Sequence, residues 1–237
     1  AVRGVGDVLY GVTPPAGRLV QTIYPKEYAT QVSIFDFNMR PGPSAYPAPG
    51  CTLKPPSACK NGTNPGRTHR FYTGKPVLPF GYGLSYTTFS YALHAAPASD
   101  APVSLAPLRR LLADAAAQSR SFVSHEAERA TSPLVHYAVN VTNTGATDSD
   151  DVVLGFIKAP GAGTGGRPLQ TLFGFERVHV PAGATRTVWL YPAATSLAAT
   201  DEAGVRHALA GEYTVTFGLQ QTAQLGMGFV SHRFVAV

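Results

Sequence analysis

Charge is scarce in this chain. Asp, Glu, Lys and Arg make up 14% of its 237 residues, against about 25% in an average soluble protein, which excludes the highly charged composition of a disordered tail. Cysteine and methionine occur twice each and tryptophan once. No apolar run approaches the roughly 18 residues needed to cross a bilayer, so no membrane span is expected. The 19 basic residues outnumber the 14 acidic ones, but they are dispersed, with Arg109-Arg110 the one adjacent pair. No nucleic-acid stripe follows from that pattern. The seven His residues show no paired spacing for zinc. Gly161 to Gly166 is followed by no Lys-Ser/Thr, so it reads as a loop and not as a phosphate cradle. Neither a metal nor a cofactor is expected. The chain opens on Ala1 without Met or a leader, which carries little weight for an internal piece of a longer protein.

Glycine and proline are abundant, at 24 and 20 residues, which favours short strands and many turns over long helices. Val2, Val5, Val8 and Leu9 stand near helical spacing and end at Gly11, so 1–11 reads as the last turns of a helix. Leu19 to Tyr24 reads as a short strand, and Ile34 to Met39 as an apolar run followed by loop. The helix end and the one strand of residues 1–24 cannot enclose a core, so that part should expose apolar surface. Leu105, Leu108, Leu111 and Leu112 share one helical face, giving a short amphipathic helix over Ala106 to Gln118 that packs on protein in preference to a membrane.

From Leu134 the period changes to two. Val135, Tyr137, Val139 and Val141 fall on one face, which puts Asn140 on the opposite, solvent-facing side. Val152 to Lys158, Gln170 to Phe175, Thr185 to Tyr191, Glu212 to Leu219 and Gly228 to Val237 follow as strands, with Val205 to Leu209 as an edge strand. About seven strands with regular turn signals make an antiparallel β-sandwich.

Several motifs add a family resemblance. Arg67 to Phe89 (RTHRFYTGKPVLPFGYGLSYTTF) resembles the segment that closes the α/β-sandwich domain of family 3 glycoside hydrolases, the β-xylosidases and β-glucosidases. Gly11 to Pro25 (GVTPPAGRLVQTIYP) is similar to that family's Gly, Pro, Gly-Arg-Leu element. Met39-Arg40-Pro41 with Pro65-Gly66-Arg67-Thr68 fits its xylosidase branch. Gly174-Phe175, Pro181-Ala182-Gly183 and Gly211-Glu212-Tyr213 resemble its fibronectin type III-like domain.

The resemblance implies a mainly β chain in three parts. Residues 1–94 are a C-terminal remnant of the α/β-sandwich domain, 95–132 a linker with a short helix, and 133–237 a fibronectin type III-like, immunoglobulin-like antiparallel β-sandwich. It further implies an exo-acting parent that hydrolyses terminal β-linked xylose or glucose with two carboxyl groups. Both groups, a nucleophilic Asp and an acid/base Glu, would lie upstream of Ala1, so this chain is expected to hold no catalytic residue and to act as structural support. Its partners are then the upstream hydrolase domains and, through them, a carbohydrate. A free-standing carbohydrate-binding or structural cell-surface module is the alternative.

Several residues are candidates for contact or modification. Aromatic rings stack on sugar faces, and among Phe71, Tyr72, Phe80, Tyr82, Tyr86 and Phe89 the sugar-contact candidates are Tyr72 and Tyr82, although packing outweighs sugar contact for the cluster. Arg40, Arg67 and Arg70 offer planar donor forks, with Asp36 and Glu27 the nearby carboxylates. Asp148, Asp150 and Asp151 read as a solvated acidic turn. Cys51 and Cys59 bracket CTLKPPSAC and form either a small disulfide ring or two separate thiols. Sequons at Asn61 and Asn140 join them in pointing to a secreted or lysosome-like setting.

Overall fold

The computed structural model describes residues 2–54, 58–98, 100–118, 123–131, 133–201, 204–223 and 225–237. In chain order its elements begin with α1 (Val2–Leu9), α2 (Tyr28–Gln31), β1 (Gly42–Pro47), β2 (Asn61–Asn64), α3 (Thr68–Phe71) and β3 (Phe89–Ala95). Next come α4 (Ala106–Ala117), α5 (His125–Thr131), β4 (Tyr137–Asn143), β5 (Ser149–Lys158), β6 (Thr171–Val180) and β7 (Thr185–Leu190). The chain closes with β8 (Ala198–Thr200), β9 (Arg206–Ala208), β10 (Gly211–Gly218), α6 (Gln220–Ala223) and β11 (Phe229–Ala236). Two compact units result, one formed by Ala1–Arg18, Gly81–Pro160 and Thr171–Val237, the other by Leu19–Phe80 and Gly161–Gln170.

The larger unit is a β-sandwich. One sheet has the order β11-β10-β5-β6 and the other β3-β4-β7, with every pairing antiparallel. Period-two alternation turns Tyr137, Val139 and Val141 of β4 into the core, where they join Val153 and Ile157 of β5, Val215 and Phe217 of β10 and Phe234 of β11. Tyr137 and Phe217 meet at 5.3 Å, and Tyr213 stacks on Phe234 at 5.3 Å. Gly155 of β5 is a close-approach position, since a Cβ there would stand 2.6 Å from the Phe173 ring.

Three features depart from the sequence reading. The strand beside β4 is drawn from Phe89 to Ala95, which starts at the last residue of the Gly/aromatic motif and lies well before residue 133. The leucines of the amphipathic helix α4 and its start belong to the sandwich core, with Leu105 and Leu108 at 0% exposure, because the apolar stripe packs into the same cluster as the strand residues. Among the described residues, Leu19 to Tyr24 forms no strand. Only Ile23 pairs, through an isolated bridge to Leu78.

The smaller unit has little apolar core. Its buried residues include Val32 and Phe71 beside the polar Ser33, Asp36, Ser44 and Asn64. β1 and β2 form an irregular hairpin, and Cys51 is bonded to Cys59 with Cα atoms 6.0 Å apart. Val5, Leu9, Val12 and Val20 are exposed, as the sequence of residues 1–24 implies, and Ile34, Phe35 and Phe37, at 81%, 61% and 83% exposure, add apolar surface to the smaller unit. Gly66 adopts φ +88°, and a Cβ there would come within 2.0 Å of the Phe71 carbonyl oxygen, so glycine is required at this turn.

Candidate functional site

Tyr72 lies in the smaller unit and Tyr82 in the larger, so the structure does not gather the two sugar-contact candidates into one unit. Tyr72 packs edge-on against Tyr24 at 4.9 Å and Tyr28 at 5.7 Å, while those two rings stack at 4.0 Å. The neighbouring phenols serve the backbone. Tyr24 accepts a 2.6 Å bond from the Thr68 N–H, and Tyr28 donates to the Gly66 carbonyl. Burial raises the pKa of both Tyr28 and Tyr72. This cluster is a packed brace around the Pro65 to Tyr72 turn.

The arginines beside it also brace. Arg40 and Arg70 lie over the buried Phe71 ring at 5.6 and 5.3 Å. Arg40 also donates from Nε to the Gly166 carbonyl at 2.8 Å, and Arg67 donates to the Asp36 carbonyl. Asp36 accepts from the Asn38 N–H at 3.0 Å, and that bond, followed by bonds from Ser44 and Asn64, lowers its pKa. A carboxyl group held ionised is suited to accepting hydrogen bonds and unsuited to donating a proton as a general acid. Glu27 is exposed next to α2.

The acidic run is not one solvated cluster, which corrects the sequence reading. Asp148 accepts from the Ala182 N–H at 2.8 Å, and Asp150 pairs with Arg177 and His179. Asp151, at 0% exposure, pairs with Arg18 and accepts from the Tyr91 phenol at 2.6 Å and from the Val152 N–H at 2.8 Å. Strand alternation separates these neighbours, because Asp150 and Asp151 point to opposite faces of β5. Among the described residues no group of His, Cys, Asp and Glu is arranged to hold a metal ion, and no helix is long and apolar enough to cross a membrane.

The sequon asparagines differ. Asn61 is exposed at the start of β2. Asn140 is half-buried on the central strand β4, and its Oδ1 accepts from the Thr187 hydroxyl at 2.8 Å. Sequence reasoning missed Asn143, which is fully buried. Its side chain accepts from Thr87 at 2.6 Å and from the Gly145 N–H, and donates to the Thr147 and Val180 carbonyls. The Asn-Thr-Gly turn signal was its visible trace in the sequence.

The sandwich geometry defines the class of domain first. The fibronectin type III-like domain family matches residues 151–221. Over the wider chain, similarity reaches 33% identity to β-D-xylosidase 1 of Arabidopsis thaliana, across 90% of this chain and 26% of that protein. It reaches 38% identity to a probable exo-1,4-β-xylosidase of Aspergillus fumigatus, across 88% of this chain and 23% of that protein. A solved GH3 exo-β-xylosidase in complex with a xylobiose aziridine activity-based probe superposes with TM-score 0.71 at 28% identity, covering 98% of this chain and 26% of that one. A β-D-glucoside glucohydrolase of Trichoderma reesei shares the fold at 17% identity and TM-score 0.62, covering 99% of this chain and 28% of that one. The chain thus spans about a quarter of the length of the curated relatives it matches. Over nearly all of its length the chain is therefore similar to the C-terminal part of family 3 glycoside hydrolases, and the relatives it matches are named β-xylosidases.

Proposed function

We propose that this chain is the supporting C-terminal portion of an exo-acting β-xylosidase, whose hydrolysis of terminal β-linked xylose is carried out by domains outside residues 1–237. The observation that carries the reading is the likeness of 88 to 98% of this chain to a plant β-D-xylosidase and to fungal exo-1,4-β-xylosidases. Here the residues before the sandwich belong with the enzyme's α/β-sandwich domain, and the exposed Ile34, Phe35 and Phe37 are the apolar surface on which upstream hydrolase domains dock. Retaining hydrolysis needs two carboxyl groups about 5–5.5 Å apart. In this chain Asp36, Asp150 and Asp151 are instead committed to hydrogen bonds or ion pairs that hold structure. By holding loops of the upstream domains in place, the sandwich would raise turnover without touching the bond that breaks. The disulfide and the exposed Asn61 sequon fit a secreted enzyme.

Replacing the matching C-terminal part of the Aspergillus oryzae exo-1,4-β-xylosidase with this chain tests the proposal. The chimera should hydrolyse nitrophenyl β-xyloside, and the isolated chain should not. Turnover by the isolated chain, abolished by changing one of its own side chains, would overturn the reading.

A further inference from the structure

The sheet β3-β4-β7 turns one face into the core; on its other face the outward residues of β3 and β7 are exposed, while on β4 Asn140 and Thr142 are half-buried and Ala138 is buried. Its outward positions are the alternate residues of each strand, from Ser90 on β3, Ala138 on β4 and Thr185 on β7, and none is Asp, Glu, Lys or Arg. A solvated sheet face ordinarily carries charge, so its absence calls for an explanation.

Two kinds of group stand there instead. Paired uncharged polar groups run across the strands, with Thr187 donating to Asn140 at 2.8 Å and the Thr142 and Thr185 hydroxyls 2.8 Å apart. Beyond them is a row of rings. Trp189, the chain's single tryptophan, is 44% exposed and lies parallel to Tyr191, 57% exposed, with centroids 6.3 Å apart and planes 11° apart. His136 continues the row 6.1 Å from Trp189.

We propose that this face binds a neutral, β-linked pyranose chain, with Trp189 and Tyr191 stacking on the apolar C–H faces of the sugar rings and the Thr and Asn groups meeting their hydroxyls. Exposed aromatic rings offer an apolar surface with a polar handle, and neighbouring uncharged donors and acceptors provide orientation. The lack of charge selects the occupant, because an anionic polysaccharide finds no cation on the outward strand positions and an unsubstituted sugar chain needs none. Xylose suits the rings well, since its pyranose lacks the hydroxymethyl arm that crowds a stacking face. That choice of sugar rests on the proposed function, whereas the site rests only on the face. The site would hold polymer beside the enzyme and take no part in bond cleavage.

The single tryptophan makes the test direct. Titrating the intact 237-residue chain with xylohexaose should shift and saturate Trp189 emission, and insoluble xylan should retain the chain. Tyr191→Ala, which keeps the reporter, should weaken binding about tenfold, and Trp189→Ala should abolish retention on xylan, with both variants unchanged in far-UV circular dichroism. Polygalacturonate should give no response. A flat titration, binding that Tyr191→Ala leaves unchanged, or self-association of the chain that Trp189→Ala removes would each overturn the proposal. None of these measurements involves hydrolysis, so their failure is separable from failure of the chimera.

Discussion

Arg18 and Asp151, 133 residues apart in sequence, form a buried ion pair in the larger unit, with side chains 11% and 0% exposed. The Tyr91 phenol donates to the other Asp151 oxygen at 2.6 Å, and burial followed by the charge of Asp151 raises its pKa well above the ordinary value. Arg18 is thereby tied to β5, the strand with which the matched fibronectin type III-like region begins.

Removing one partner leaves the other charge buried without compensation. Arg18→Met should therefore cost about 3–5 kcal/mol, as should Asp151→Leu, read as a lower urea midpoint. The double variant should recover much of the loss, because the unpaired charge is then gone. A double variant as unstable as the sum of the two would show that the pair acts through something other than mutual neutralisation.

Asn143 satisfies backbone and side-chain groups from Thr87, Gly145, Thr147 and Val180 at once. Asn143→Ala strands several of these in a buried site and should cost about 2–4 kcal/mol. Thermal melts of the variant check this, and a change within error of wild type would contradict the buried-hub reading.

His69 stacks on Phe80 at 4.2 Å, and burial, reinforced by the nearby Arg70 charge, pushes its pKa down to about 4 from the ordinary 6.5. The folded state therefore resists protonation that the unfolded state accepts. Stability contributed by neutral His69 is present above about pH 6.5, is lost as the pH falls from there to about 4, and levels off below. Because the ring is partly exposed, solvent screening limits the effect to about 1–2 kcal/mol. His69→Gln should flatten that part of the stability profile of the smaller unit.

The Cys51–Cys59 bond closes a short loop, with a separation of 8 residues. Loop-closure entropy assigns it about 2–3 kcal/mol. Reduction should lower the stability of the smaller unit while leaving hydrogen exchange in β4, β5 and β10 unchanged.

The sequons should separate by strand position. In a eukaryotic host Asn61→Gln should remove a mobility shift, since Asn61 is exposed at the start of its hairpin strand. Asn140→Gln should not, since that amide is bonded to Thr187 in the middle of a sheet. Peptide mass spectrometry reads both sites.

Much of the sandwich was legible in the chain. Alternation in β4, β7 and β10 matches their observed core faces because a sheet with one face buried writes period two into its sequence. β3 was hidden because Phe89 to Ala95 runs on directly from the Gly/aromatic motif and pairs with a strand about forty residues later. Leucine spacing disclosed α4, but not that Leu105 and Leu108 complete the sandwich core, since an amphipathic stripe does not name its partner. The candidate rings were read locally as well, and Tyr72 proves to be packed among Tyr24 and Tyr28.

Local chemistry alone determined the mainly β class, the turns, the apolar stripe of α4 and the family motifs, because each depends on residues close together in the chain. Only tertiary structure decided that three neighbouring aspartates serve three different sets of partners, that Arg18 meets Asp151, and that an uncharged face gathers around Trp189. Those outcomes arise from strand register and burial across distant segments, where the desolvation of a charge or the pairing of a hydroxyl depends on a partner that sequence order does not specify.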